Sequence, residues 1–196
     1  LVNATSGAYA LMHAQTGGFG ISNTYYLSYY SISELSGNNG VFAEPFEGRE
    51  GLPPADAHFH LLSYGLPDSY AGVVWVKMNQ IMLYATKNII AADKLLVDPL
   101  MTDADKANIL RLRGENYFLR GVMAHNAMNV FARPYWDEPS QNLGIPFDLS
   151  GQGELVARST VADSYEQIVS DFKNAAADLP DELSNRTYAN KPAAFA

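Results

Sequence analysis

The chain of 196 residues carries 13 Lys and Arg against 21 Asp and Glu, a formal charge of −8, with 47% hydrophobic and 17% charged residues. That balance fits a folded globular protein and speaks against wrapping nucleic-acid phosphates or holding a polybasic membrane patch. With no Cys, disulfides, thiolate metal sites and Cys nucleophiles are excluded, and no apolar run approaches the roughly 20 residues of a membrane span.

Asn3 to Met12 reads as a first helix with Ala4, Ala8, Leu11 and Met12 on one side, and Gly17, Gly18 and Gly20 break it. Ser22 can cap a short second helix to Glu34, whose Tyr25, Tyr26, Tyr29 and Tyr30 suit helix packing better than a ligand platform. Gly, Pro and Asn are scattered from Ser36 to Pro67, a loop-like stretch that holds Arg49, Asp56, His58, His60 and Tyr64. Loops this long inside compact domains are uncommon unless they serve a function.

Asp68 or Ser69 caps the next helix, which runs to about Val97. Along it Trp75, Met78, Met82, Ala85, Ile89, Ala92 and Leu96 alternate steps of three and four, the signature of one buried face. Asp98, Pro99 and a Thr102 cap leave so short a connection that the following helix must lie antiparallel. That helix, Asp103 to Arg133, organises the chain. It carries two apolar stripes, one of Ala107, Leu110, Gly114, Tyr117, Gly121, Ala124, Met128 and Phe131, the other of Leu112, Leu119, Met123, Ala127 and Val130. Two stripes imply cover from two sides, and the small residues invite a neighbouring backbone to come close. Thr102 with Asp105, and Thr160 with Asp163, are weak capping boxes, since Glu or Gln is usual at the third position. Pro134 stops the central helix and opens a second loop, to Arg158, with Tyr135, Trp136, Asp137 and Glu138. Val161, Tyr165, Ile168, Phe172, Ala175 and Leu179 mark a further helix ended by Pro180, and Asn190 to Ala196 opens another. The helix–loop–helix pairing predicts an all-α, tetratricopeptide-like helical repeat scaffold with long irregular loops.

Residue chemistry offers no enzyme. GxSxG, Walker, GxGxxG and HExxH patterns are absent. His58 and His60 share one side of an extended segment, but no carboxylate spacing completes a metal site. His13 and His125 read as capping or packing residues. Asp137–Glu138 and Asp181–Glu182 are sequence neighbours, whereas glycosidase carboxylates must face each other across a cleft. The expectation is therefore no catalytic residue, no metal and no cofactor.

GENYFLRGVMAHNAMNVFARPYW resembles the signature helix of the SusD/RagB family of outer-membrane nutrient-binding lipoproteins of Bacteroidetes, in which an aromatic-Leu-Arg segment leads through an amphipathic run into a Gly/Pro turn. LGIPF (Leu143 to Phe147), RSTVADSYEQIVSDFKNAAADLP (Arg158 to Pro180), NKPAAFA and WVKMNQIMLYATKNII (Trp75 to Ile90) resemble the family's neighbouring segments. The chain departs at Gly121, Met123 and Ala124, where members often carry Ala or aromatics. The resemblance implies an N-terminal SusD-like domain over residues 1–196, truncated at its C-terminal end. It implies a non-enzymatic protein, lipid-anchored at the cell surface, that binds oligosaccharide or polysaccharide. Such a protein hands its ligand to a SusC-like TonB-dependent transporter. The expected ligand-binding residues are Arg49, Asp56, His58 and Tyr64, with Trp136 a more distant one. A tetratricopeptide-type scaffold that binds only protein is the alternative.

Overall fold

The computed structural model describes residues 1–12, 70–181 and 188–195. The expected helix from Ser22 to Glu34 and the stretch with Arg49, Asp56, His58, His60 and Tyr64 lie outside the described residues. The elements are α1 (Val2–Leu11), α2 (Tyr70–Leu96), α3 (Asp103–Phe131), β1 (Leu143–Pro146), β2 (Arg158–Thr160), α4 (Val161–Asp178) and α5 (Lys191–Phe195). The fold is all-α and tetratricopeptide-like, with one small sheet. The chain divides into two compact units, one of Leu1–Tyr9 with Met78–Ala196, the other of Ala10–Lys77. In the second unit Met12, Val74 and Lys77 are buried and Val76 is exposed. The first unit contains α3, α4, α5 and both strands.

α3 starts where its sequence says it should, and more firmly. The Thr102 hydroxyl accepts from the Asp105 N–H at 3.2 Å, and the Asp105 carboxylate accepts from the Thr102 N–H at 3.2 Å and from its hydroxyl at 2.6 Å. Asp thus completes a full capping box in place of the usual Glu. These bonds hold the Asp105 carboxyl below its usual range, the Thr102 hydroxyl contributing most. The helix ends at Phe131, and Pro134 biases Arg133 away from helical angles.

Both apolar stripes of α3 are buried along its middle, at Leu112, Leu119, Met123, Ala127, Gly114, Gly121, Ala124 and Met128. Ala107 is exposed, and Ile109, outside both expected stripes, is buried in the first half of α3. In α1, Thr5 is buried where Ala4 was expected, because its hydroxyl accepts from the Asn116 amide at 2.9 Å.

Polar clamps join the helices. Arg120 donates to both oxygens of Asp171 at 2.8 and 2.7 Å and to the Thr86 hydroxyl at 3.1 Å. Arg113 does the same one heptad earlier, to Asp178 at 2.6 and 3.0 Å and to Asp93 at 2.6 Å. Each arginine therefore bridges α2 and α4 across α3. Partners rise in number along one helix as they fall along the next, so α2, α3 and α4 run alternately antiparallel. The Asn88 side-chain N–H donates a hydrogen bond to the Asn116 side-chain oxygen at 2.9 Å. The small residues do allow close approach, but to side chains. A Cβ at Gly121 would lie 3.1–3.3 Å from the Phe172 ring, and one at Gly114 would lie 2.9 Å from Asp178 Cβ and Leu179 Cγ. The expected backbone approach is thus corrected to a ring and two side-chain stems filling the notches.

At the outer edge of α3, Glu115 is buried and ion-paired with Arg111. Burial pushes its carboxyl up, while Arg111 and the Tyr9 hydroxyl pull it down. Burial also holds the Tyr9 hydroxyl protonated, and that oxygen accepts from the Ala189 N–H at 3.3 Å.

The stretch from Pro134 to Arg158, expected to be loop throughout, contains β1 and the first residue of β2, which pair antiparallel with Leu143 opposite Thr160 and Pro146 opposite Arg158. Gly144 makes the pairing possible. A Cβ there would sit 2.7 Å from the Thr160 carbonyl oxygen and 2.1 Å from Ser164 Oγ. Alternation was too short to reveal a strand, because four residues and three residues do not establish a period. After β1 the chain wraps the Asp148 carboxylate, which accepts from the Ser150 N–H and hydroxyl, the Gly153 N–H and the Glu154 N–H. Gly151 and Gly153 take φ of 69° and 78°, angles that side-chain-bearing residues rarely adopt.

Candidate functional site

The described residues bring one open, aromatic-lined surface together, where the turn after α3 meets the outer face of α4. The turn is Pro134–Asp137, closed by the Asp137 N–H donating to the Pro134 carbonyl at 3.0 Å, with Tyr135 and Trp136 as its two central residues. Trp136 is 84% exposed and Tyr135 54%.

The turn is pinned on both sides. The Gln141 and Asn142 N–H groups donate to the Glu138 carbonyl at 2.9 and 3.0 Å, and the Asn142 amide donates to the Asp137 carbonyl at 2.6 Å. Val161 and Ala162 at the start of α4 donate to the Asn142 and Pro139 carbonyls, both at 2.9 Å. Arg158 donates to three carbonyls, those of Gly144 at 2.6 Å, Leu143 at 3.1 Å and Phe131 at 2.9 Å. The last is a terminal helix carbonyl that would otherwise lack a partner. Glu138 holds φ at 42°, an uncommon angle for a non-glycine residue, maintained by these surroundings.

Below the turn lies a groove of about 530 Å³ lined by Tyr135, Ala162, Tyr165, Glu166, Val169, Ser170 and Lys173. That volume is in the range of small-ligand sites. Tyr135 meets Tyr165 edge to face at 5.4 Å between centroids, and His125 meets Tyr165 at 6.4 Å. His125 is exposed, with its Nδ1 3.4 Å from the Asn129 side-chain amide, so it touches the Tyr165 ring from the surface of α3. Along α4, Glu166, Ser170 and Lys173 follow the groove one above the other, and among the described residues their side chains have no hydrogen-bond or ion-pair partner. The surface can stack on an apolar ring face and can both donate and accept hydrogen bonds. Among the described residues no group of three or more His, Asp or Glu is placed to hold a metal ion.

Of the five residues expected to bind ligand, Trp136 alone is described, and it stands fully displayed. Sequence reasoning placed Tyr165 in the core stripe and passed over Glu166, Ser170 and Lys173. Tyr165 is half-buried and lines the groove. The missed signal is a spacing of four and then three residues that carries polar groups beside a tyrosine.

Residues 63–196 match the model of a family described as SusD-like, starch-binding and associating with the outer membrane. No curated protein matches the chain. Among solved structures it is similar to a SusD superfamily protein from Bacteroides thetaiotaomicron VPI-5482, with TM-score 0.74 and 21% identity over 98% of this chain and 39% of that one. A SusD superfamily protein from Bacteroides vulgatus ATCC 8482 gives TM-score 0.74 at 24% identity, over 98% of this chain and 40% of that one. A SusD-like carbohydrate binding protein from the same strain gives TM-score 0.73 at 12% identity, over 99% and 38%. At these identities the likeness concerns the fold, and the chain spans about two fifths of the length of those structures. No described helix is long and apolar enough to cross a membrane. With the family model matched over roughly two thirds of its residues, and a fold similar to those of the solved SusD superfamily proteins, the chain belongs to the SusD-like family.

Proposed function

We propose that the protein captures glycans at the cell surface, without cleaving them, and passes them to a SusC-like TonB-dependent transporter in the outer membrane. The observation that carries this reading is the match over residues 63–196 to a family described as starch-binding and associating with the outer membrane. The geometry supports it through the exposed Trp136, carried on a turn whose backbone is hydrogen-bonded. An exposed indole offers a flat apolar face to a sugar ring. Arg49, Asp56, His58 and Tyr64 are proposed to complete the ligand-binding set with Trp136. A lipid anchor is proposed to hold the protein at the membrane.

Calorimetric titration of the intact protein with a panel of oligosaccharides tests capture, and reducing-sugar release from the same panel tests the absence of cleavage. Binding without release supports the proposal, whereas release of reducing ends would contradict it. Delivery is tested by affinity purification from outer membranes, where a TonB-dependent transporter should be recovered with the protein. In a Tyr64→Ala, Asp56→Ala double variant, loss of one ring and one hydroxyl partner should weaken binding about ten- to a hundredfold. Unchanged affinity would remove that stretch from the site.

A further inference from the structure

We propose that segment 154–157, which runs into β2, is a docking edge for a second copy of this chain, the two segments pairing antiparallel about a twofold axis at Val156. The sheet has two strands, so β2 has one neighbour, β1. Ahead of β2, residues 153–157 continue without a turn or bend. Leu155 is fully exposed, Val156 is 38% exposed, and Glu154 and Ala157 are exposed as well. Among the described residues, the main-chain N–H and C=O groups of Leu155, Val156 and Ala157 make no hydrogen bond. Unpaired backbone of this kind, carrying apolar side chains, is a template for strand addition.

What selects a second copy is the segment's own sequence, because ELVAR is its own antiparallel complement. With Val156 on the axis, Leu155 lies opposite Ala157 of the second copy, and Glu154 lies opposite its Arg158. Side chains alternate across a strand. Leu155 and Ala157 of both copies therefore share one face, which is apolar, while Glu154, Val156 and Arg158 share the other. On that second face a carboxylate meets a guanidinium twice, once in each half of the pair. Within its own chain Arg158 spends Nε and Nη2 on the Gly144, Leu143 and Phe131 carbonyls, and Nη1 makes no bond among the described residues. That nitrogen is left for the second copy's Glu154. A slip of one residue in either direction puts Glu154 opposite Ala157 or Ser159 and loses both charge pairs, so the register is specified.

Leu155 and Ala157 supply the ladder. Each Leu155 N–H donates to the second copy's Ala157 carbonyl, and each Ala157 N–H donates to the second copy's Leu155 carbonyl. All of these groups lack a partner within the chain. The Glu154 N–H stays on the Asp148 carboxylate, beside that of Gly153, and holds the upstream end of the segment, as β2 holds the downstream end. Val156 then forms the pair that shares no hydrogen bonds, with Cα atoms about 4.5 Å apart. So few bonds and so small an apolar face give a weak association, with a dissociation constant on the order of 1 mM.

The chain contains no Cys, so a single introduced thiol reads the register in the intact protein. Opposed Cα atoms about 4.5 Å apart can be bridged by a disulfide, whereas Leu155 and its own copy lie on a diagonal of roughly 7–8 Å. Under mild oxidation Val156→Cys should therefore cross-link into dimers about tenfold faster than Leu155→Cys, or more. Chance collision gives the opposite order, because Leu155 is the more exposed. Sedimentation equilibrium up to about 1 mM should show wild type populating a dimer. Leu155→Pro removes a ladder donor, and Glu154→Lys sets like charges opposite each other. Each should raise the dissociation constant about tenfold or more with an unchanged melting temperature. Equal cross-linking of the two thiol variants, a wild type that stays monomeric at that concentration, or variants that associate like wild type would each overturn the pairing. If Leu155→Pro lost a co-purifying outer-membrane protein and kept wild-type self-association, the edge would serve another chain and the proposal would fall.

Discussion

At the α3–α4 interface, Arg120 and Asp171 are buried and exchange two hydrogen bonds. At the end of the same helix, Trp136 stands 84% exposed on a turn held by hydrogen bonds of its main chain and of its flanks. In the first region side chains are satisfied by one another and the surface is closed. In the second the backbone is satisfied and the side chains are left open. On the proposed reading, capture of a ligand without rearrangement would use both. The stack supplies a hydrogen-bonded frame, and the turn set on it has its backbone held and its Trp136 side chain exposed. Stability and recognition should therefore respond to different substitutions.

The largest effect should come from Gly144→Ala. Its Cβ would meet both a backbone oxygen and Ser164 Oγ well inside contact distance, so β1 must leave β2 and release the start of α4. Destabilisation of about 4 kcal/mol or more is expected, read by chemical denaturation. A loss under about 1 kcal/mol would show that the two strands are not tightly paired. Asp171→Ala should cost about 3–5 kcal/mol, because it strands a buried guanidinium. If that variant melted like wild type, the clamp would not be part of the frame. Gly121→Leu should cost about 1–3 kcal/mol by forcing the Phe172 ring aside, and an unchanged melting temperature would mean the notch is empty in solution.

A smaller effect concerns pH. The Ser150 hydroxyl, followed by the Gly153, Ser150 and Glu154 N–H groups, holds the Asp148 carboxyl below its usual value. A depressed carboxyl contributes stability that is present above its unfolded-state pKa and is lost as pH falls through the folded one. Denaturation midpoints across the acid range should therefore fall less steeply for Asp148→Asn than for wild type. Parallel curves would show that the loop opens before the carboxylate titrates. Glu115 acts in the opposite sense, since burial raises its carboxyl. Protonation on acidification thus favours the folded state there.

The helices were legible because their apolar residues recur at three and four over long runs. Met78, Met82, Ala85, Ile89 and Ala92 in α2, and Ile168 and Ala175 in α4, are buried as that period requires. The clamps were not read, although they leave a trace. Arg113 and Arg120 stand seven residues apart in α3, and so do Asp171 and Asp178 in α4. Matched heptad spacing of opposite charges in two antiparallel helices is a pairing signal that apolar periodicity does not contain. The sheet escaped because its strands are too short to show alternation, and because Gly144 matters through what lies across from it. Trp136 was legible as an aromatic in a loop. The groove beside Tyr135 was not, since Tyr165 fits an apolar stripe equally well whether its ring faces in or out. The stretch holding Arg49, Asp56, His58 and Tyr64 has no periodicity to fix which side chains share a face, so sequence could nominate those residues but not assemble them.

The most direct test of this division between frame and platform is to measure melting temperature and maltoheptaose affinity on the same preparations of Trp136→Ala and Asp171→Asn. Trp136→Ala should melt like wild type and bind about tenfold more weakly or worse, while Asp171→Asn should melt at lower temperature and, kept well below its transition, bind with wild-type affinity. Equal loss of stability and affinity in both variants, or wild-type affinity in Trp136→Ala, would contradict the division.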